Sequence, residues 1–157
     1  MTTPQGFSPH EPRIHPVHSH VDGRRALLRY FNSQEKVGQV YMVEIRPGVT
    51  TAWHGHDHQS DYWTVLDGVL QVGVMPFVTH PATDTEMILG LKQFWLSASV
   101  PQVLEIPPHW WHGYHNAGPS TVRLLNLTTE PYTQENPDEK RLSPFIIPDF
   151  WGKVPAQ

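Results

Sequence analysis

The chain has 157 residues and a formal net charge of −4, with 11 Lys and Arg set against 15 Asp and Glu. That length suits one domain with one core, and so thin a scatter of cations forms no basic stripe, which excludes nucleic acid as the expected partner. Cysteine is absent, excluding disulfides, thiolate metal sites and a cysteine nucleophile. The sequence also lacks a secretory signal and any apolar run of about 18 residues, so the expectation is a cytoplasmic protein that does not enter a membrane.

In chain order, residues 1–23 carry His10, His15, His18 and His20 among prolines and read as an extended arm. From Arg24 onward come short apolar runs bounded by Gly, Pro, Asn or Asp: "RALLRYF", "VGQVYMVEI", "YWTVLDGVLQVGVM", "EMILGLKQFWL", "QVLEIP" and "VRLLNLT". Each is of strand length and rich in branched or aromatic residues. Their spacing predicts an all-β antiparallel sandwich or small barrel of jelly-roll type over residues 24–130. The segment "VTHPATDTEM" reads as a loop between strands. Residues 131–157 read as a Pro-rich tail packed back on the barrel through Phe145, Ile146, Phe150 and Trp151.

Chemistry concentrates in "GVTTAWHGHDHQSDYWTVLDG", residues 48–68. His54 and His56 are two apart, which on a strand puts both rings on one face. Asp61 follows four residues after His56, whereas His58 and Gln59 fall in the intervening turn, with His58 expected to face solvent. About fifty residues on, "EIPPHWWHGYHN" places His112 and Tyr114 on one face of another strand. Arg46 and Arg123 are the arginines whose strands are expected to face the interior.

These two stretches resemble the paired motifs of the cupins. Gly48, His54, His56, Asp61 and Gly68 match the first motif in register, with Asp where the family usually has Glu. Pro107, His112 and Asn116 match the second, whose two glycines are replaced by Pro101 and His109. The resemblance implies a double-stranded β-helix barrel with the motifs facing each other across the lumen. In metal-dependent cupins the matching ligands would be His54, His56, Asp61 and His112, a set suited to divalent Fe, Mn, Ni, Cu or Zn.

A closer resemblance is to the dTDP-4-dehydrorhamnose 3,5-epimerase-like branch, carried by "AWHGHDHQSDY", "VLEIPPHWWHGYHNAG", "LNLTTEPYTQENPDEKRLSP" and "IPDFW". It implies a sugar-nucleotide epimerase or isomerase that needs no cofactor and works by proton transfer beside a ketone. His54 or His56 would be the base, and His112 the histidine of the family's His-Gly-aromatic turn. Tyr132 would be the tyrosine that returns a proton, and Arg46, Tyr114, Arg123 and Trp63 the substrate contacts. The family's lysine is replaced here near Asp61, which leaves Asp61 or Glu105 as the expected orienting carboxylate. The branch also implies a homodimer joined through the N-terminal arm. A metal-dependent cupin enzyme and a non-catalytic small-molecule-binding cupin are the competing readings.

Overall fold

Strands form where apolar and polar residues alternate. In the segment Gln39–Ile45, Tyr41, Val43 and Ile45 share one face and Val40, Met42 and Glu44 the other, so a strand can bury the first set and leave the second to solvent. A computed structural model describes residues 11–31, 36–77, 89–147 and 149–151. His10 and the predicted loop at 78–87 lie outside them.

The strands in chain order are β1 (Arg13–Pro16), β2 (His18–Val21), β3 (Ala26–Arg29), β4 (Gln39–Ile45), β5 (Thr50–Gly55), β6 (Asp61–Asp67), β7 (Val69–Pro76), β8 (Lys92–Ser97), β9 (Gln102–Ile106), β10 (Trp110–His115), β11 (Val122–Thr128) and β12 (Lys140–Arg141). Two five-stranded antiparallel sheets face each other. Sheet I runs β1-β9-β6-β11-β4 and sheet II runs β12-β5-β10-β7-β8, while β2 and β3 form a separate hairpin. This is the jelly-roll architecture expected from the strand and turn pattern. The segment read as an arm contributes β1 to sheet I, and the tail contributes β12 to the edge of sheet II.

Two apolar clusters hold the sheets. Between them lie Leu70, Val72, Val74, Leu96 and Leu104, all at 0% exposure, with Trp63 and Ile45. On the far face of sheet II, Trp53, Met75, Phe77 and Trp111 pack with Trp151 and with Leu142, Ile146 and Phe150 of the tail. The tail is therefore fastened to sheet II through Leu142, Ile146, Phe150 and Trp151, and the expectation for Phe145 is corrected. Phe145 is 80% exposed, because the 3-10 turn Pro144–Ile146 points Ile146 inward and Phe145 outward.

The turns match the motif residues. Gly48 and Gly68 have φ of 76° and 86°, in the left-handed region that glycine occupies without strain. His109, which stands where the second motif has a glycine, keeps that conformation with φ of 67°. Its N–H donates to the His56 carbonyl at 2.8 Å and its carbonyl accepts from Phe77 N–H at 2.8 Å, so the hydrogen bonds hold the backbone shape that glycine would otherwise ease. Asn116 is structural, with Nδ2 donating to the carbonyls of Ile45 and Ser120, each at 2.8 Å.

Candidate active site

One end of the space between the sheets is polar. His54 on β5 is the direct register partner of His112 on β10, and their rings lie 4.1 Å apart, centroid to centroid. His56 follows at the end of β5. The residue between the two histidines must be small: a Cβ on Gly55 would come within 2.5 Å of the Phe77 ring and 2.9 Å of the Trp110 carbonyl. The His-Gly-His order thus meets two needs, two imidazoles on the inner face and no side chain on the outer one.

Asp61 begins β6 on the opposite sheet and reaches across to these rings. It is 1% exposed, and its Oδ2 lies 3.0 Å from His112 Nε2 and 3.4 Å from His56 Nε2. Main-chain carbonyls fix both rings from behind. His112 Nδ1 donates to the Trp110 carbonyl at 3.0 Å, and His56 Nδ1 donates to the carbonyl of Asp138. Since a carbonyl only accepts, Nδ1 carries the proton in each ring and Nε2 is the atom turned toward Asp61. Gln59 completes the group, its Nε2 lying 2.7 Å from Asp61 Oδ1 and 3.3 Å from His56 Nε2. His112 Nε2 is buried and, despite its closeness to Asp61, lacks the alignment of a hydrogen bond. Ligand atoms of His54, His56, Asp61 and His112 all lie within 4.8 Å of one another.

The electrostatics separate the histidines. Burial, reinforced by the neighbouring His112, drives the His54 pKa well below the ordinary value of 6.5, and the opposing pull of Asp61 is too weak to restore it. His56 is also penalised by burial, but the hydrogen bond and charge of Asp61, with Asp138 behind, outweigh this and hold its pKa above 6.5. Asp61 itself pays for burial. His112 and His56 overcome that cost and keep its carboxyl far below the usual range. His54 is half-buried, lines the cavity, and has no hydrogen-bond partner on its ring among the described residues. It is the uncharged imidazole with a nitrogen to spare.

The cavity has a volume of about 230 Å³. His54, His56 and Gln59 form one side, Tyr41 and Gln39 of β4 another, and Tyr132, Glu139 and Arg141 of the tail the rim. Tyr132 is 65% exposed there. Trp63 is buried beneath the histidines, 5.2 Å from the His112 ring and 5.8 Å from Tyr114.

Three expectations need correction. Arg123 points away from the lumen, where its Nε donates to Glu44 Oε1 at 3.2 Å, because its neighbours Val122 and Leu124 take the inward positions of β11. Arg46 lies just past β4, is exposed and does not line the cavity. Glu105 faces outward to Arg13 Nε at 2.7 Å and His15 Nε2 at 2.6 Å, so of the two carboxylates only Asp61 reaches the histidine cluster. His58 is exposed, as expected.

Two residues absent from the sequence reading matter. Asp138 accepts from the backbone N–H groups of Asp57, His58 and Gln59 at 2.9 to 3.0 Å, while its own carbonyl holds His56. Tyr41 presents its hydroxyl to the cavity. Strand alternation with Val43 and Ile45 was the available signal for Tyr41; Asp138 acts from some 80 positions away and left no local signal.

The family model described as "polysaccharide biosynthesis C-terminal domain" matches residues 20–140. The chain belongs to that family. It is 31% identical over 111 residues to the spore coat polysaccharide biosynthesis protein SpsL of Bacillus subtilis, covering 71% of each chain. A second relative is the "probable low-salt glycan biosynthesis epimerase Agl13" of Haloferax volcanii, 29% identical over 139 residues, 85% of this chain and 86% of that one. Among solved structures, a dTDP sugar isomerase from Desulfovibrio desulfuricans superposes with a TM-score of 0.71 at 20% identity, over 89% of this chain and 90% of the other. That likeness gives the cupin jelly-roll fold, as the paired motifs implied. Among the described residues no helix is long and apolar enough to cross a membrane.

Proposed function

We propose that the protein is an epimerase or isomerase that moves a proton beside the ketone of a nucleotide-linked 4-keto sugar. The observation that carries this reading is the division between His54, which lines the cavity with no hydrogen bond on its ring among the described residues and whose pKa burial lowers, and the neighbouring contact group of His56, Asp61, Gln59 and His112. An epimerase among the relatives, Agl13, supports it.

In this reaction the C–H bond next to the ketone breaks, its proton goes to the free nitrogen of His54, and the bonding pair flows onto the ketone oxygen. The resulting enolate is acceptable only if a group already in place stabilises its charge. His56 favours the enolate through charge, since Asp138 and Asp61 engage both its ring nitrogens and favour its protonated form. Return of a proton to the opposite face inverts the carbon. The sequence expectation assigns that step to Tyr132 at the rim.

The test is solvent exchange. Wild-type protein in D2O with dTDP-4-keto-6-deoxyglucose or a UDP-linked 2-acetamido-4-keto-2,6-dideoxyhexose is expected to incorporate deuterium beside the ketone, and His54→Asn to lower the rate by at least about 100-fold. Absence of exchange from wild type with either compound would remove the reading.

A metal-assisted form of the reaction is supported by one observation, the buried His112 Nε2 that faces a carboxylate without a hydrogen bond. Three imidazoles and one carboxylate fit a divalent transition metal, and the carbonyls behind His56 and His112 are the usual outer partners of ligating histidines. His54, His56, Asp61 and His112 would hold the ion, and when bound it would supply a Lewis acid for the ketone oxygen. Elemental analysis of untagged protein, with exchange rates before and after dialysis against a chelator, separates the forms. Near-stoichiometric metal lost in His56→Ala supports the second; full activity after chelation supports the first.

The expected homodimer belongs to this reading as well. Its support is the outer face of sheet I, where Val40, Met42 and Leu66 are 54%, 51% and 41% exposed. A cytoplasmic location remains part of the proposal.

A further inference from the structure

We propose that Tyr41, not Tyr132, is the catalytic residue that returns the proton on the face opposite His54. The inference rests on the epimerase reading above.

Position is the first argument. His54, His56 and His112 all come from β5 and β10 of sheet II or its immediate end, whereas Tyr41 comes from β4 of sheet I, on the other wall of the same cavity. Inversion needs a base and an acid on opposite faces of one carbon, and two facing sheets supply that directly. Tyr114 fails this condition, since it stands on β10 with His112. Tyr132 belongs to the irregular segment between β11 and β12 and is 65% exposed, against 39% for Tyr41.

The second argument is hydrogen bonding. Asn126 on β11 is 3% exposed and lies directly beside Tyr41 in the β11–β4 register. Its Nδ2 donates to Tyr41 Oη at 2.8 Å. The bond occupies a lone pair of the phenol and leaves the O–H proton unspent, and among the described residues nothing else takes it. A donated N–H also steadies the phenolate left after proton transfer. No comparable bond is present for Tyr132 among the described residues.

The step balances simply. The enolate carbon takes the phenolic proton as its electron pair returns from oxygen to carbon, the ketone re-forms, and the phenolate recovers a proton from water while His54 releases the one it gained.

The experiment follows both exchange and inversion with the two nucleotide sugars named above, in D2O, for wild type, Tyr41→Phe, Tyr132→Phe and Tyr114→Phe. Tyr41→Phe is expected to incorporate deuterium near the wild-type rate with configuration retained, because His54 still removes and returns a proton on its own face. Inversion is expected to fall by at least about 100-fold. Tyr132→Phe and Tyr114→Phe are expected to change exchange and inversion in step, without separating the two. Unchanged inversion in Tyr41→Phe, or the retained-configuration phenotype in Tyr132→Phe, would overturn the inference while leaving the epimerase reading intact. Loss of exchange as well as inversion in Tyr41→Phe, with circular dichroism unchanged, would also overturn it, since the tyrosine would then act before deprotonation. No exchange by wild type would overturn both.

Discussion

The two walls of the cavity bring different chemistry. Sheet II contributes imidazoles, packed so closely that His112 helps to lower the pKa of His54, while sheet I contributes a carboxylate, an amide and a phenol from Asp61, Asn126 and Tyr41. The first motif feeds both walls: its histidines end β5 and its acid begins β6, with only the turn at 57–60 between them. A single sharp change of sheet therefore places a carboxylate against the rings that precede it. The cavity beside this cluster is lined by the His54 imidazole of sheet II and the Tyr41 phenol of sheet I.

The largest expected effect on the fold comes from breaking the bridge between the walls. Asp61→Asn removes the charge that His56 and His112 share in a buried setting, and is expected to cost about 3 kcal/mol or more in urea unfolding at neutral pH. A cost below about 1 kcal/mol would mean that the walls are held together without it. Gly55→Ala tests the sheet II side. Its new methyl group must displace the Phe77 ring or the backbone at Trp110, so a loss of about 1 to 3 kcal/mol is expected, together with weaker exchange activity because His54 and His56 would shift. The smallest effect is expected on the outside of sheet I. Arg123→Gln breaks only an exposed pair with Glu44, and should change stability by less than about 0.5 kcal/mol and leave exchange unaltered.

The contrast between the walls also explains what could be read in the sequence. The fold and the sheet II histidines were legible because motif spacing, strand parity and glycine turns all agree, and His54, His56, Asp61 and His112 do converge. Strand parity needs an anchor, however. Without knowing that Val122 and Leu124 face inward, Arg123 fits either side, and its interior placement is the one that the folded strand reverses. Tyr41 was hidden for a related reason: it shares the inner face with Val43 and Ile45, and nothing local shows that the lumen turns polar at its level. Asp138 fixes His56 mainly through a backbone carbonyl, a role open to any residue type, and its carboxylate works on a turn about 80 positions distant. Only the folded chain brings these together.

Acidity separates the histidines again. His54 resists protonation when folded, so as pH falls through the ordinary histidine range near 6.5 the unfolded chain gains a proton that the native ring refuses, and stability declines. His56 behaves oppositely. Its stabilisation is complete below the unfolded value and is lost as pH rises through its raised folded pKa.

The central claim, a division of labour between two histidines two residues apart, is tested most directly by following the ring nitrogens of His54 and His56 by NMR in ¹⁵N-labelled, chelator-treated protein across the pH range of histidine titration. The account predicts that His54 remains neutral below pH 6.5 while His56 stays protonated above it. Titration of His54 at or above the ordinary value, or of both rings together, would contradict it.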